Sequence, residues 1–298
     1  VKLERREPHY LWGDVLVEYV WSNWLDVGGA MTAGSAFRVV DGTPEVSRTV
    51  ATGTLVPLDS GPALRLPDPS LVQTVVTPAF LEPTPPDTIR VSDRTFLLKN
   101  RGYTEAIALL GDTVYVLDAT QGEARARADS TWIARLFPGP HPIVVVVTDL
   151  AWPHVAGVRY WAARGATIVA HRAAEPFLRQ VLDRRWTSAP DLYERLRAAG
   201  RLPRWRFRPV DGSLALAGGT LRLEAIDGIT SEVALIGWLA GDRFLWASDY
   251  IQTAGGPTEY TAEVRAAARR GGFAPERVAA EHLPLTPWSV FDAMYATH

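Results

Sequence analysis

"VTDLAWPHVAGVRYW", residues 147–161, is the stretch that decides the fold. It begins at the end of the apolar run "PIVVVV" (142–147), which is typical of a strand covered on both faces. A helix is predicted through "VAGVRYWAARG" (155–165), with Gly165 as its C-terminal cap, and "ATIVAH" (166–171) predicts the next strand. Strand, crossover helix and strand together form a βαβ unit.

Further strands and helices are predicted on both sides of this unit. Before it, we expect strands at "TFLLKN" and "AIALLGDTVYVLDA", the latter turning at Gly111 and Asp112, and a helix at "GEARARADSTWIARLF". After it, the predicted elements are helices at "EPFLRQVLDRRW" and "PDLYERLRAAG", hairpins at "GSLALAGGTLRLEAID" and "EVALIGWLAGDRFLWASD", a helix over about 258–270, a strand "RVAAEH", and a last helix from Thr286, with Thr286 as N-cap and Pro287 at the first helical position. Residues 89–298 are therefore interpreted as one domain.

Residues 1–88 have a different composition and are interpreted as an N-terminal accessory segment. Its stretch "YLWGDVLVEYVWSNWL" (10–25) is rich in aromatic residues and has mixed periodicity, so helix and strand both stay open. A series of prolines then leads to "LEPTPPDT" (81–88), and prolines at this density favour extended connections, which places a boundary near residue 88. The segment is expected to cover the mouth of an active site or to build a homodimer.

Composition excludes several classes of function. The chain has 298 residues, 47% hydrophobic and 21% charged, as expected of a soluble globular protein. A formal net charge of −2 argues against nucleic acid and membrane as partners, and no apolar run reaches the roughly 18 to 20 residues that span a bilayer. The chain begins with Val1, which leaves export with removal of a signal peptide open. Without cysteine, a metal ion must be held by His, Asp or Glu.

Four pieces of the sequence, in this order, resemble the metallo-β-lactamase fold family. "LLGDTVYVLDA" looks like the strand that ends in the family's Asp, and "VTDLAWPHVAGVRYWAARGATIVAH" looks like its metal loop and the following βα unit. "VALIGWLAGDRFLWASD" looks like the hairpin that carries the bridging carboxylate, and "VAAEHLPLTPW" looks like the strand that carries the last histidine. The resemblance covers residues 91–298. It implies an α+β fold, a four-layer αβ/βα sandwich, preceded here by the accessory segment.

The metal loop departs from the pattern of this family. The family holds two metal ions with a Thr-His-x-His-x-Asp-His loop, a further His, a bridging Asp and a final His. Here the loop runs from Thr148 to His154, with Asp149 and Ala151 at the first two histidine positions and Pro153 at the aspartate position. Only His154 matches a loop ligand.

The remaining ligand positions are only partly kept. The further histidine falls at Ile229 or Thr230, whereas the bridging carboxylate matches Asp249 and the final histidine matches His282. The resemblance therefore implies that the first metal is lost and that His154, Asp249 and His282 hold at most one ion. Two imidazoles and one carboxylate with open positions suit zinc or iron.

Two aspartates are assigned further roles, and plainer interpretations stay open beside them. Asp149 adds a fourth oxygen if its side chain points inward, and Asp118 matches the family's supporting aspartate, which orients loop histidines. Alternatively, His154 only caps the helix after Pro153 and Asp249 only caps a turn. Apolar residues at ligand positions favour a repacked core, because an unpaired buried imidazole costs stability.

Three functions are compatible with this sequence. The first is a divergent hydrolase that cleaves a small-molecule ester, lactone or amide by metal-activated water, with Asp149, His154 and Asp249 as catalytic residues. The alternative is a non-catalytic pseudoenzyme that serves as a binding or assembly protein. A third is metal-free hydrolysis by Asp149, Asp249 and His282. β-Lactamase activity is not expected, because a fold does not fix a function.

Overall fold

The structure is a computed structural model that describes residues 1–9, 11–54, 84–100, 102–226, 228, 233–251 and 258–296. The chain forms two compact units, Val1–Thr77 with Arg184–Ala189, and Pro78–Asp183 with Pro190–His298. The boundary near residue 88 stays a prediction. Among the described residues, no helix is both long and apolar enough to cross a membrane.

The first unit contains an antiparallel sheet of four strands in chain order. They are β1 (Lys2–His9), β2 (Gly13–Val27), β3 (Ala30–Val40) and β4 (Thr43–Thr49). The aromatic stretch left open between helix and strand is thus a strand, and burial alternates along its first half, where Val15 and Val17 are buried. The later segment Arg184–Ala189 joins this unit through Asp14, whose carboxylate accepts hydrogen bonds from Thr187 and Ser188.

The second unit begins with a mixed sheet of seven strands. They are β5 (Asp87–Arg90), β6 (Thr95–Asn100), β7 (Tyr103–Leu110), β8 (Thr113–Leu117), β9 (Ile143–Val147), β10 (Thr167–His171) and β11 (Arg206–Val210), in the order β11-β10-β9-β8-β7-β6-β5. Strands β8 to β11 are parallel. The strand predicted from "PIVVVV" is confirmed as β9, which lies in the middle of the sheet with Val145, Val146 and Val147 buried.

A second sheet of six strands follows. They are β12 (Ser213–Leu216), β13 (Leu221–Ala225), β14 (Leu235–Leu239), β15 (Phe244–Trp246), β16 (Arg277–Ala279) and β17 (Thr286–Pro287), paired in chain order. The prediction that Thr286 caps the last helix is wrong. Thr286 pairs with Val278 in the sheet, and its hydroxyl donates to the carbonyl of Pro284, so the helix begins at Trp288.

Helices cover both sheets of the second unit. They are α1 (Glu123–Leu136), α2 (Trp152–Val155), α3 (Val158–Ala163), α4 (Glu175–Asp183), α5 (Leu192–Ala198), α6 (Thr258–Arg270) and α7 (Trp288–Ala296). Helix α3 packs against β10, α1 and α5, whereas α6 and α7 pack on the six-stranded sheet. A shared core that includes Leu117 of the first sheet and Trp246 of the second lies between the sheets. The layers are therefore helix, sheet, sheet and helix.

Alternating side chains build these layers from sequence. In β14, Leu235 and Leu239 enter the core between the sheets, whereas Ile236 and Trp238 join the apolar cluster of α6. Because neighbouring side chains of a strand point to opposite faces, one fully buried strand serves two cores.

The predicted helix over residues 155–165 is interrupted at Ala156 and Gly157, which corrects the single-helix interpretation. Two backbone groups that a continuous helix would pair within itself bond to Ala119 instead. The Gly157 N–H donates to the Ala119 oxygen at 2.7 Å, and the Ala119 N–H donates to the His154 oxygen at 2.9 Å. A Cβ atom on Gly157 would lie 2.9 Å from the oxygen of Ala119. Gly165 follows the last helical turn with φ +80°, as a C-terminal cap requires.

Candidate metal centre

The site starts where the parallel strands β8 and β9 end. Asp118 follows β8 and Thr148 follows β9, and the Thr148 N–H and hydroxyl donate to Asp118 Oδ1 at 2.9 and 2.7 Å. Trp246 donates from Nε1 to Asp118 Oδ2 at 2.8 Å. Asp118 and Thr148 are fully buried, so the carboxylate fixes the beginning of the loop that carries His154.

His154 lies in α2 with its imidazole fully buried among three carboxylates. Its Nδ1 is 3.5 Å from Asp118 Oδ2, and its Nε2 is 2.6 Å from Glu281 Oε2 and 3.5 Å from Asp249 Oδ2. Burial alone would lower the pKa of His154, but the three carboxylates outweigh it and raise that pKa well above its usual value. Asp118 thus contacts the one loop histidine that is present.

Glu281 is the residue that the sequence interpretation missed. It follows β16, next to the predicted ligand His282, and its side chain is fully buried. Burial raises the pKa of Glu281 to about 7, against the lowering effect of His154. The signal was present in "VAAEH", because a glutamate inside an apolar strand end needs a partner.

His282 lies at the more exposed side of the same carboxylates. Its side chain is 28% exposed, and its Nε2 is 3.5 Å from Asp249 Oδ1 and 3.8 Å from Glu281 Oε2. Asp249 therefore directs one oxygen towards each histidine. The structure thus brings the predicted ligands His154 and Asp249 together with Glu281, and His282 contacts the two carboxylates of this group.

Asp149, the remaining predicted site residue, is not one of the three residues whose ligand atoms lie within 4.8 Å of one another. It is half-buried, and its Oδ1 accepts a hydrogen bond from Ala151 N–H within the loop. Burial raises the pKa of Asp149, whereas the positive charge of His154 lowers it. The other predicted position, Ile229 or Thr230, lies outside the described residues.

The donor set fits a divalent cation. One ligand atom from each of His154, Asp249 and Glu281 lies within 4.8 Å of the other two. Among the described residues, neither ring nitrogen of His154 and neither oxygen of Glu281 has a hydrogen-bond partner at an acceptable angle. Buried polar atoms without such partners are costly, and Asp118, Asp249 and Glu281 outnumber the one imidazole between them. A bound cation would satisfy Nε2 of His154 and an oxygen of Glu281, and it would offset the excess negative charge.

Two buried residues beside the site have a left-handed backbone. Asp118 has φ +77° and Ser248 has φ +57°, a region that costs residues other than glycine about 1–2 kcal/mol. Both hold Thr148, whose hydroxyl is also hydrogen-bonded to the Ser248 hydroxyl, with 2.7 Å between the two oxygens. Strain of this kind is concentrated at functional sites.

Comparisons with known proteins give the fold. No protein-family model and no curated protein matches the chain. Among solved structures, the metallo-β-lactamase DIM-1 is 12% identical with a TM-score of 0.52, covering 72% of this chain and 96% of its own. FIM-1 from Pseudomonas aeruginosa, in a mono-zinc form, is also 12% identical with a TM-score of 0.52, covering 73% and 96%.

A metallo-β-lactamase from Erythrobacter litoralis is 14% identical with a TM-score of 0.52, covering 70% of this chain and 94% of its own. The chain therefore has the metallo-β-lactamase fold, which confirms the predicted α+β sandwich.

Proposed function

We propose that the protein is a hydrolase that holds one divalent metal ion, zinc or iron, between His154, Asp249 and Glu281, with His282 as a fourth ligand. The observation that carries the proposal is the excess of buried carboxylate around a single buried imidazole. Even a protonated His154 leaves the group negative, and a divalent ion offsets that charge. The proposed substrate is a small-molecule ester, lactone or amide.

An ion held there would polarise a carbonyl and activate water for hydrolysis. The other steps fall to the chain itself. Asp118 lies on the Nδ1 side of His154, so Nε2 faces Asp249 and Glu281. Asp249 and His282 form the more exposed side, where substrate enters, since their side chains are 21% and 28% exposed and those of the other two ligands are fully buried.

Asp149 is the proposed proton-transfer group. It is half-buried beside the ligands, and its raised pKa favours exchange of a proton with substrate nearer to neutral pH. The mono-zinc form of FIM-1 supports the single-ion proposal by analogy, because it shows that a protein of this fold exists with one zinc.

Metal analysis tests the proposal. Protein purified without chelator is expected to contain one zinc or iron per chain by plasma mass spectrometry, and the His154→Ala variant is expected to contain none. Hydrolysis of an activated ester is expected to stop with a chelator and to return with metal. Wild-type protein without stoichiometric metal, or unchanged metal in His154→Ala, would contradict it.

A second function is favoured by the shortest contact of the site. His154 and Glu281, 2.6 Å apart, form a buried ion pair when His154 is protonated. In a non-catalytic binding protein of this fold, that ion pair would stabilise the buried carboxylate without a metal ion. In that case micromolar zinc leaves the melting temperature unchanged, because only a ligand of the native state stabilises it. Metal-free hydrolysis by Asp149, Asp249 and His282 would instead appear as activity that resists chelators.

A further inference from the structure

His282 is held by two neighbouring residues: Gly102, in the turn between β6 and β7, and Tyr103, the first residue of β7. Its Nδ1 lies 2.9 Å from the carbonyl oxygen of Gly102, and its ring centroid lies 5.2 Å from that of Tyr103, at an interplanar angle of 58°. Because the His282 side chain is 28% exposed, burial alone does not fix its ring, in contrast to the fully buried His154. These contacts therefore decide how the imidazole is presented.

The contact with Gly102 selects one tautomer. A carbonyl oxygen can only accept a hydrogen bond, so Nδ1 of His282 carries the proton and the neutral ring has its lone pair on Nε2. Nε2 is also the atom that faces the carboxylates, 3.5 Å from Asp249 and 3.8 Å from Glu281. The tautomer set by Gly102 is thus the one that a metal ligand at this position needs.

We propose that Gly102 and Tyr103 are positioning residues for His282: the Gly102 carbonyl fixes its tautomer and the Tyr103 ring fixes its plane. This inference rests on the proposed function, since the lone pair matters only if a cation takes it. A backbone or carboxylate partner on the second nitrogen of a ligand histidine orients the ring and strengthens metal binding. Here the carbonyl of Gly102 is such a partner for His282.

The conformation of Gly102 supports this role. Its φ of +90° is readily adopted by glycine only, and a Cβ atom placed there would meet no atom within 4 Å. A substitution at this position therefore changes the direction of the carbonyl without a steric clash. Tyr103 is half-buried, and its ring packs on that of His282 with 5.2 Å between the ring centroids.

The test reads the tautomer directly, by 15N-edited NMR of the imidazoles of the full chain without metal. Wild-type His282 is expected to carry its proton on Nδ1. His171 is the internal reference, because its Nδ1 accepts a hydrogen bond from Ala173 N–H and its proton is on Nε2. In Tyr103→Phe the His282 signals are expected to stay, whereas in Tyr103→Leu and Gly102→Ala they shift towards a mixture of tautomers.

Zinc titration of the same proteins is the second readout. Tyr103→Phe is expected to bind zinc within about twofold of wild type, and Tyr103→Leu and Gly102→Ala about 10- to 100-fold more weakly. A proton on Nε2 of wild-type His282, or wild-type zinc affinity in both weakened variants, would overturn the inference. If the His171 signals of Tyr103→Leu are lost, that variant is unfolded, and the result with Gly102→Ala alone then supports or overturns the inference. If wild-type protein shows the expected tautomer but binds no zinc, the proposed function is rejected and the positioning of His282 is not.

Discussion

Nε2 of His154 lies 2.6 Å from Oε2 of Glu281, and neither side chain is exposed to solvent. This contact joins α2 to the end of β16, which are far apart in sequence. It places Glu281 in the candidate metal centre, in direct contact with the histidine predicted from the loop pattern.

The first prediction concerns this carboxylate. Glu281→Gln keeps the shape of the side chain and removes its charge, so zinc affinity measured by calorimetry is expected to fall about tenfold or more. Glu276→Gln is the matched control, because Glu276 is 59% exposed and pairs only with Arg243 among the described residues. Equal zinc affinity in the two variants would remove Glu281 from the site.

Asp118→Asn is expected to destabilise the protein even without metal. The carboxylate accepts hydrogen bonds from the Thr148 N–H, the Thr148 hydroxyl and Trp246 Nε1, and an amide would direct N–H groups at some of these donors. We expect a loss of about 2–3 kcal/mol in the free energy of unfolding by urea. Asp112→Asn, exposed at the other end of β8, should be nearly neutral; a similarly small effect of Asp118→Asn would contradict the buried network.

Ser248 allows the backbone strain to be measured. Both Ser248→Ala and Ser248→Gly lose the hydrogen bond between the Ser248 and Thr148 hydroxyls, but only glycine adopts φ +57° without strain. The glycine variant is therefore expected to be more stable than the alanine variant by about 1 kcal/mol in urea unfolding. If alanine is the more stable of the two, the left-handed backbone carries no strain.

Gly157→Ala tests the break between α2 and α3. The added Cβ would lie 2.9 Å from the backbone oxygen of Ala119, which cannot rotate away, so we expect a loss of about 1–3 kcal/mol in urea unfolding. Gly241→Ala is the control, because its Cβ would meet no atom within 4 Å. The metal content of Gly157→Ala is expected to fall as well, since the same backbone contacts hold His154. A Gly157→Ala variant as stable as Gly241→Ala would show that the backbone shifts to accommodate the Cβ atom, and it would contradict the prediction.

Asp14 gives a prediction for pH. Desolvation would raise the pKa of Asp14, but hydrogen bonds from Thr187 and Ser188 outweigh it and hold the pKa below its usual value. Because the pKa of Asp14 in the folded state is below the unfolded value of about 3.9, its stabilisation of the fold is complete above about pH 4. This stabilisation is lost as pH falls through the folded pKa.

Asp14→Asn is therefore expected to lose stability at pH 7 and to approach wild type below about pH 4. Hydrogen exchange of the Thr187 and Ser188 amides, which donate to Asp14, reports this locally. A stability difference that does not change with pH would show that the charge of Asp14 has no role.

The sequence predicts the structure best where a single strand pattern or a single motif position is enough to identify an element or a ligand. The run "PIVVVV" predicts β9 because only a strand covered on both faces is apolar at every position. His154, Asp249 and His282 were found because they occupy matching positions of a known pattern. Glu281 occupies no such position: its apolar surroundings in "VAAEH" indicate that it needs a partner, and the contact with His154 identifies that partner.

The remaining differences come from contacts between distant residues. The break at Gly157 depends on the backbone of Ala119, and the strand position of Thr286 depends on pairing with Val278. Local propensity favours a helix at both places, and hydrogen bonds to another segment override it. The return of Arg184–Ala189 to the first unit likewise depends on Asp14, which lies about 170 residues earlier in the chain.

The anchors of the loop before His154 have a consequence for protein engineering. Thr148 is held by Asp118 at one end, and the His154 carbonyl is held by the Ala119 N–H at the other. Neither anchor uses a side chain of the residues between them. Substitution of histidine for Asp149 and Ala151 therefore leaves both anchors of the loop in place, which makes these two positions the first choice for engineering new ligands.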